Sequence, residues 1–438
     1  MKKLFITATA LVLSMGAYAQ QLQLTLDEAV TIALDDNPTI IVADMEIERY
    51  DYVLAETKGM YLPSLSIDSY YNYSIVAQQM SKSMQISANG TSTVSAAANL
   101  SVPLYAPAIS RTLSLNKTQM AAAVESARGS KIDLVAEVKK AFYNILLAEQ
   151  SLVVLEESAA ISKKNVDDTQ IMFDNGLTAE YDLLTAQVQY SNLQPTIVQT
   201  RSSVEIAKLL LKMYLSLPEN TEIELSGSLD DMRDVVFNGA DGLSTDLSQN
   251  SDLIALELQS QLLADQLKLT NSARLPTLAA YGSLTYYGTE SAVIDYSSFT
   301  ANGTEYYGQV PINVGVSLSI PIFSGLTNVN KAKQIKNQMK QLEIQRMYAE
   351  QGKIVEVKSA INNLFTAREK MFSEEATVEQ AAKAYRISKT RYDAGVGTML
   401  ELNSAQLSQT QSELNYSQAI YDYLSAKCDY DKIIGKEN

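Results

Sequence analysis

The sequence predicts a mainly α-helical chain that also contains two pairs of membrane-type β-strands, and three observations lead to this fold class. The second half of the chain repeats the motifs of the first half in the same order. Short segments in each copy alternate between apolar and small polar side chains, which is the period of a β-strand. Longer segments repeat apolar residues every seven positions, which is the period of a coiled coil.

The internal repeat is visible in motifs that return in order. Asn37 recurs as Asn250, Leu100–Tyr105 recurs as Leu318–Phe323, and Gln187 recurs as Gln406. The spacing between equivalent residues widens slightly along the chain, and a slow drift of this kind indicates a duplication. The domain boundaries that follow are 20–217 for the first copy, 218–249 for a joining segment and 250–438 for the second copy.

Residues 1–19 have the composition of a secretory signal peptide. Lys2 and Lys3 precede an apolar stretch from Leu4 to Met15, and Ala17-Tyr18-Ala19 supplies the small residues of a cleavage site. This pattern is typical of an exported protein. We therefore predict that this segment is removed and that the mature chain leaves the cytoplasm.

Each copy predicts a helix, two strands, a very long helix, a glycine turn and a shorter helix. Thr25-Leu26-Asp27-Glu28 has the spacing of a capping box at the first helix, which Asn37-Pro38 interrupts. In the first copy we expect strands at 65–73 and 94–104 and helices at 111–172 and 179–214. In the second copy we expect helices at 251–274, 326–391 and 399–433 and strands at 278–287 and 312–323.

The predicted strands alternate regularly. The last of them places on one face Ile312, Val314, Val316, Leu318, Ile320 and Ile322. Small or polar residues occupy its other face, from Asn313 to Ser319. Strands of about ten residues with small polar inner faces are typical of membrane barrels, although the half-buried sheet of a soluble protein also alternates.

Tyrosines cluster at the strand ends in a chain without tryptophan. This placement predicts an aromatic belt at a membrane interface, formed by Tyr70, Tyr71, Tyr73, Tyr286 and Tyr287. Between the paired strands, Asn89-Gly90 and Asn302-Gly303 predict hairpin loops.

The long helices predict a coiled coil and an oligomer. Apolar residues recur every seven positions from Val138 to Phe173 and, in the second copy, from Val357 to Tyr392. Helices of 62 or 66 residues would extend on the order of 90–100 Å. Four strands cannot close a barrel, since about eight is the smallest number known. A dimer would supply eight strands and a filled interior, whereas a trimer would supply twelve and leave a lumen.

Composition argues against several functional classes. The formal net charge of −15 disfavours nucleic acid as a partner. The chain has no histidine and one cysteine, Cys428, so it lacks the usual general base and the usual zinc ligands. Adjacent acids such as Glu156-Glu157 lie in polar helical segments, and Gly395-x-Gly397 lacks the remainder of a phosphate loop. We expect no catalytic site, no cofactor and no metal site.

Ordered motifs across nearly the whole mature chain resemble the TolC-like outer-membrane efflux family, the outer membrane factors. They are Leu26-Asp27-Glu28-Ala29 before Asn37-Pro38, Leu-Pro-x-Leu at Leu62 and Leu275, Pro-Leu-Tyr at Pro103, Pro-Ile-Phe at Pro321, and the helix tips at 173–177 and 392–398. The resemblance implies a trimer with a 12-stranded β-barrel in the outer membrane and an α-helical coiled-coil tunnel through the periplasm. It further implies conduction of small molecules or proteins to the exterior of a Gram-negative cell.

The resemblance also implies candidate gate residues. By position past the turn glycines, Asp182 and Glu401 match the family's acidic ring positions, and Tyr392 matches a gate tyrosine. The sequence departs at Gly397 and Ser404, where the best-studied pattern has a basic and a second acidic residue, so a salt-bridged gate is not implied. The alternative interpretation of Asp182 and Glu401 is that they are solvated helix carboxylates.

Partners are implied in the same way. The helix tips are candidate docking sites for a periplasmic adaptor that joins the channel to an inner-membrane transporter of RND or ABC type, through Gly176, Leu177, Gly395, Val396 and Gly397. Outer-membrane lipid would surround the barrel. The alternative is a soluble periplasmic coiled-coil adaptor or scaffold, which would explain the signal peptide and heptads but not the alternating strands.

Overall fold

The computed structural model describes residues 22–75, 91–233, 243–289, 297–301 and 304–437. The predicted signal peptide and the predicted hairpin loops at Asn89-Gly90 and Asn302-Gly303 lie outside these ranges. The chain divides into two compact units. Unit 1 comprises residues 1–42, 127–250 and 351–438, and unit 2 comprises residues 43–126 and 251–350.

The helices follow the predicted order. They are α1 Leu26–Asp36, α2 Pro38–Gly59, α3 Pro107–Asp174, α4 Glu180–Tyr214, α5 Ser251–Ser272, α6 Thr327–Asp393 and α7 Met399–Ile433. Because α3 has 68 residues and α6 has 67, each extends about 100 Å at the rise of an α-helix. In the described ranges no helix is both long enough and apolar enough to cross a bilayer.

The same buried asparagine clamp occurs in each copy of the repeat. The side-chain amide of Asn37 donates to the carbonyl oxygen of Tyr214 at 2.8 Å, and that of Asn250 donates to the carbonyl oxygen of Ile433 at 2.7 Å. Asn37 also accepts a hydrogen bond from the amide of Thr39 at 2.9 Å. It therefore separates α1 from α2 at the predicted position, where Pro38 occupies the first helical residue.

The core of unit 1 lies where its helices meet a short parallel strand pair. Strand β1, Leu22–Leu24, pairs with β4, Ile223–Leu225, and a 3-10 turn follows at Asp230–Met232. The largest fully buried side chains around them include Phe142, Leu211 and Tyr423. The segment predicted to join the two copies thus contributes a strand to this core.

Within unit 1, α3 lies between α4 and α7, and α7 lies between α3 and α6. Side-chain ion pairs mark the three contacts: Arg201 with Glu156 at 2.6 Å, Lys432 with Asp133 at 3.0 Å and Lys370 with Asp422 at 2.9 Å. The first half of α4 also contacts α7. Beyond it, this order leaves α4 and α6 with one side each that no described helix of unit 1 covers.

Unit 2 contains an antiparallel sheet. Its strands are β2 Ser64–Ser74, β3 Thr91–Tyr105, β5 Thr277–Thr289, β6 Ser297–Ala301, β7 Thr304–Gln309 and β8 Ile312–Ser319. β3 pairs with β2 and β5, and β5 pairs along its other edge first with β8 and then with β7. β7 and β8 therefore continue one strand path, so the sheet has four paths and an added β6–β7 hairpin.

Two features of the second strand pair differ from the sequence prediction. The strand expected at 312–323 ends at Ser319, because Pro321 has no amide to donate to a ladder. The strands β6 and β7, on either side of the predicted loop residues Asn302-Gly303, were not predicted, since segments of five and six residues are too short to show a clear period.

The strand register confirms the predicted separation of faces. Tyr281 of β5 lies opposite Ser101 of β3 and Gly315 of β8, on a face that also carries Asn99, Asn313 and Ser317. The other face carries, among others, Leu65, Leu100, Val102, Leu284, Val314, Val316 and Leu318. One face is therefore polar and the other apolar along all four strand paths.

The aromatic-belt prediction is wrong for two of its five tyrosines. Tyr70 and Tyr287 lie opposite Ser95 on the polar face, where their hydroxyl oxygens are 2.7 Å apart. Tyr71, Tyr73 and Tyr286 lie on the apolar face. The error arises because adjacent residues of a strand point to opposite faces. Of two adjacent tyrosines, such as Tyr70 and Tyr71, only one can therefore face a bilayer.

Candidate functional site

The candidate site lies in unit 1, where α3 turns into α4 and α6 turns into α7. Both turns are Schellman motifs with glycine in the left-handed region, at φ 71° for Gly176 and 73° for Gly395. At the first tip the amide of Gly176 donates to Phe173 O and that of Leu177 to Met172 O, both at 2.8 Å. Glycine is favoured there because a side chain would be strained at these angles.

The second tip repeats this turn and is tighter. The amide of Gly395 donates to Tyr392 O at 2.9 Å, and the amides of Val396 and Gly397 donate to Arg391 O at 3.0 Å. A Cβ atom at Gly397 would lie 3.0 Å from the backbone nitrogen of Tyr392. This close approach leaves little space for the basic residue of the best-studied family pattern.

Both candidate acids lie in the first turn of a helix. Asp182 accepts a hydrogen bond from the Thr178 hydroxyl at 2.8 Å. Glu401 forms a reciprocal capping box with Thr398, in which each backbone amide donates to the other side chain at 3.2 Å. Negative charge is favourable at a helix N-terminus, so each carboxylate also has a local structural role.

A cation that the sequence interpretation missed lies beside Glu401. The Arg391 guanidinium nitrogen Nη2 is 4.0 Å from Glu401 Oε2 and donates to the carbonyl oxygen of Val396 at 3.4 Å. Arg391 belongs to the last turn of α6, and the tight turn at Gly397 brings it back beside Glu401. The signal available in the sequence was a basic residue in the last helical turn, where a positive charge interacts favourably with the helix dipole.

Tyr392 connects the two helix pairs of the chain. It belongs to a cluster of buried side chains with Val166, Ala186, Met399 and Leu402. Its hydroxyl lies 3.3 Å from Thr169 Oγ1 on α3. The residue predicted as a gate tyrosine is thus buried and connects α6 to α3.

A buried polar seam joins α7 to α3 beyond this tyrosine. The amide nitrogen of Gln406 donates to Ser162 Oγ at 2.7 Å and to Ser158 O at 2.9 Å, and its oxygen accepts from Asn165 at 3.2 Å. Sequence analysis matched Gln406 to Gln187 as a repeat position without assigning it a role. Its i, i+4, i+7 partners Ser158, Ser162 and Asn165 on α3 were the available signal.

An apolar groove runs between α4 and α7 near the tips. It encloses about 520 Å³ and is lined chiefly by Tyr181, Leu184, Val188, Leu400 and Leu407. The side-chain nitrogen of Asn403 is buried at this groove without a hydrogen-bond partner in the described chain. At the two turns, Leu177 and Val396 are exposed. The tips therefore present apolar side chains to solvent, while the Asn403 amide nitrogen is buried among them.

Within the described ranges the titratable side chains do not assemble a cluster that could hold a metal ion. Ser404 lines the apolar groove beside Asn403. The polar groups of the site hydrogen-bond one helix to another, as between Gln406 and Ser162.

Comparison with known proteins identifies the architecture. The sequence profile of the family described as "Outer membrane efflux protein" matches residues 29–216 and 242–436. "Outer membrane protein TolC" of Vibrio cholerae is 22% identical over 444 residues, which span 99% of this chain and 96% of that protein. "Alkaline protease secretion protein AprF" of Pseudomonas aeruginosa is 21% identical over 306 residues, which span 69% and 61%.

A solved structure has the same fold. The Campylobacter jejuni CmeC outer membrane channel superposes with a TM-score of 0.74 at 17% identity, covering 94% of this chain and 86% of that one. The soluble adaptor interpretation is therefore set aside.

Proposed function

We propose that this chain, which belongs to the outer membrane efflux protein family, works as a trimer whose gate and docking surface lie at the helix tips. The family places it in the outer membrane as a channel for efflux or type I secretion, with its helices forming a tunnel in the periplasm. The observation that supports a trimer best is that a single chain leaves matching helix faces and sheet edges uncovered.

The internal duplication supports one particular helix contact between chains. In unit 1, α7 packs on α3 through pairs such as Lys140 with Asp429 at 2.5 Å. In the repeat, α4 is the equivalent of α7, and α6 is the equivalent of α3. We infer that α4 of one chain packs on α6 of its neighbour. The receiving surface would be the open groove of about 860 Å³ beside α6 and α7, lined in part by Gly352, Val355 and Ser359.

The sheet supports the same oligomer. Among the described strands, β2 pairs with β3 and β8 pairs with β5, so each has an edge that no strand of the chain covers. Exposed edges promote pairing with another chain. Three chains with four strand paths each would close a barrel of twelve strands, with the polar face towards a lumen and the apolar face towards lipid.

The repeat boundaries predicted from the sequence are part of this proposal. The two blocks matched by the family profile, 29–216 and 242–436, support a first copy at 20–217, a joining segment at 218–249 and a second copy at 250–438. Each copy would contribute two strand paths and one half of the helical wall.

The trimer is testable in detergent and in bilayers. We expect the purified protein to run as a single species of three chains and to form ion-conducting pores in planar bilayers. A folded monomer without conductance would contradict the proposal. A conducting dimer would contradict the twelve-stranded barrel while leaving the channel function intact.

For the gate, we propose that threefold symmetry gathers Asp182 and Glu401 into acidic rings at the periplasmic mouth. Carboxylates around a narrow, poorly solvated passage concentrate cations. Arg391 would offset part of the charge of Glu401, and Tyr392 would hold the closed helix packing.

The gate test is single-channel recording of Asp182→Asn combined with Glu401→Gln, substitutions that keep the size and most hydrogen bonds of both side chains. We expect a lower cation preference and weaker block by divalent ions, with trimer assembly unchanged. A double variant with the selectivity and divalent sensitivity of the wild type would assign both acids to helix capping.

For docking, we propose that the apolar groove at the tips receives a helix of a periplasmic adaptor, which connects the channel to an RND or ABC transporter. Apolar helices dock into such grooves through residues at i, i+3, i+4 and i+7, and Leu184, Val188, Leu400 and Leu407 would receive them. A photo-crosslinking residue at Leu184 should capture an adaptor in cells, whereas one at the exposed Gln194 should not. Capture of the same protein from both positions, or of none, would contradict this assignment.

A further inference from the structure

The junctions between helices and strands in unit 2 are basic, in contrast to the rest of the chain. The segments 50–63, 106–117, 262–276 and 320–337 contain eight Lys or Arg and three Asp or Glu. The whole chain has 35 Lys or Arg and 50 Asp or Glu. All eight basic side chains are exposed. A local reversal of sign in an acidic protein indicates a surface selected for an anionic partner.

Most of this charge is free to interact. Lys268 pairs with Asp265 at 2.8 Å. For Lys331, Lys333 and Lys336 at the start of α6, the structure records no carboxylate within ion-pair distance in the described chain. These three lysines follow closely on Thr327, the first residue of α6, and lie about 6 to 14 Å from it along the helix. They therefore form a short ladder of charge that starts at the sheet.

An exposed apolar band separates the lysines from the sheet. Ile322 and Phe323, between β8 and α6, have exposed fractions of 94% and 78%. The other junctions add Leu62, Tyr105 and Leu275, which are also exposed. Apolar and aromatic residues followed by basic ones are the pattern of a protein surface at a membrane interface.

We propose that these junctions form a basic collar, comprising Arg111, Arg274, Lys331, Lys333 and Lys336, that binds the phosphate headgroups of anionic phospholipid in the leaflet facing the periplasm. The inference rests on the proposed orientation of the sheet in the outer membrane. Its apolar face and the band at Ile322 set the depth of the bilayer, and the collar then lies at the level of the headgroups. Basic residues near an anionic surface are attracted to its headgroups, and the attraction extends over about 8 Å at physiological ionic strength.

The collar would fix the height of the channel in the membrane. An apolar band alone opposes small vertical displacements of the channel only weakly, because the bilayer changes gradually from hydrocarbon to water. Headgroup phosphates held by lysines define that edge more sharply. The channel would then be positioned vertically without any contact from its partners.

The test compares lipid preference of the assembled protein in nanodiscs made with phosphatidylethanolamine and phosphatidylglycerol at three to one. Co-purifying lipid is quantified by mass spectrometry after limited detergent extraction. Three proteins are compared: the wild type, the triple variant Lys331→Gln, Lys333→Gln and Lys336→Gln, and a control triple variant with the same charge change in unit 1. The control carries Lys164→Gln, Lys358→Gln and Lys383→Gln, all at exposed positions.

We expect the wild type and the control to retain phosphatidylglycerol preferentially and the collar variant to lose about fivefold of that preference. Raised salt should reduce the preference of the wild type. Equal retention of both lipids by the wild type, or equal preference in the collar variant and the wild type, would overturn the collar. A collar variant with unchanged lipids but altered anion conductance would show that these lysines face the lumen. None of these results affects the proposed channel, which is measured separately by assembly and conductance.

Discussion

Helices α4 and α7 occupy the same place in the two copies of the repeat, yet the chain covers them differently. Each has 35 residues, of which seven are buried in α4 and fourteen in α7. α7 packs against α3 and α6 of its own chain, whereas α4 packs against α3 and, along its first half only, against α7. The second half of α4 carries exposed apolar residues on its uncovered side: Val198, Ile206, Leu209 and Met213.

Matched positions show what the difference means. Cys428 of α7 is 6% exposed, whereas Leu209, its repeat equivalent on α4, is 42% exposed. Cys428 shares a small cavity with Val135 and Ala136 of α3, and the repeat equivalent of Ala136 is the exposed Val355 of α6. The chain thus forms the contact of α7 with α3. It also contains the equivalent surfaces on α4 and α6, which are exposed. This difference is the basis of the proposal that a neighbouring chain completes the second contact.

The largest effect should come from a charge on the uncovered side of α4. Ile206→Glu places a carboxylate where a neighbouring chain would bury it, at a cost of about 3 kcal/mol or more per contact. We expect trimers to dissociate while the helix content of the chain survives, as measured by native electrophoresis and circular dichroism. Gln194→Glu, on an exposed polar side of α4, is the control and should assemble normally. Normal assembly of Ile206→Glu would show that this side of α4 stays in solvent.

Two glutamines at equivalent positions of the repeat allow the energetics of α7 and α4 to be compared within one chain. Gln406→Ala would leave Ser162 and Asn165 buried with fewer hydrogen bonds, which costs about 1–3 kcal/mol. Gln187→Ala, at the exposed equivalent position, should change stability by less than about 0.5 kcal/mol. Chemical denaturation in detergent measures both. Equal losses would mean that the burial of α7 and the exposure of α4 do not govern their energetics.

The contrast extends to unit 2, where Asp265 of α5 is buried and its repeat equivalent on α2, Tyr52, is exposed. Burial opposes ionisation of Asp265, but hydrogen bonds from Lys268, Thr118 and Ser114 and the charge of Lys268 outweigh it, so the pKa of the carboxyl lies below its usual value. The native state therefore binds fewer protons than the unfolded state. Its contribution to stability is present above about pH 4 and is lost as the pH falls through the lowered pKa.

Asp265→Asn should accordingly lower the unfolding temperature at pH 7 and converge with the wild type near pH 3. The hydrogen bonds to a charged group that it removes correspond to about 1–2 kcal/mol. Thermal melts across this pH range measure the effect. Parallel pH profiles for the two proteins would assign the acid sensitivity to other groups.

Sequence analysis predicted the elements well wherever one period dominated. The heptads of α3 and α6 and the alternation around Val316 gave correct elements because a single buried or apolar face repeats along them. It failed at Ile320, because Pro321 ends the hydrogen-bonded ladder. It also failed at Tyr70 and Tyr287, because the prediction considered the residue type and not which face of the strand each residue occupies.

The candidate site was less predictable because its geometry depends on turns. Gly176 and Gly395 were identifiable as turn residues from composition, whereas the approach of Arg391 to Glu401 depends on the tight turn at Gly397. The Gln406 seam requires knowledge of which helix faces which, and a duplication alone does not supply that. The roles of Asp182, Glu401 and Tyr392 in a gate remain predictions.

The most direct test of the account asks whether α4 of one chain lies on α6 of another. Burial raises the pKa of Cys428 to about 11, and Cys428→Ala removes this thiol altogether. In that background, Leu209→Cys and Val355→Cys place thiols at the positions equivalent to Cys428 and Ala136. Mild oxidation in membranes should produce covalent dimers and trimers and no larger species, whereas Gln194→Cys with Val355→Cys should produce none. Absence of cross-links from the first pair, with Leu209→Cys freely modified by a maleimide in the assembled protein, would contradict the account.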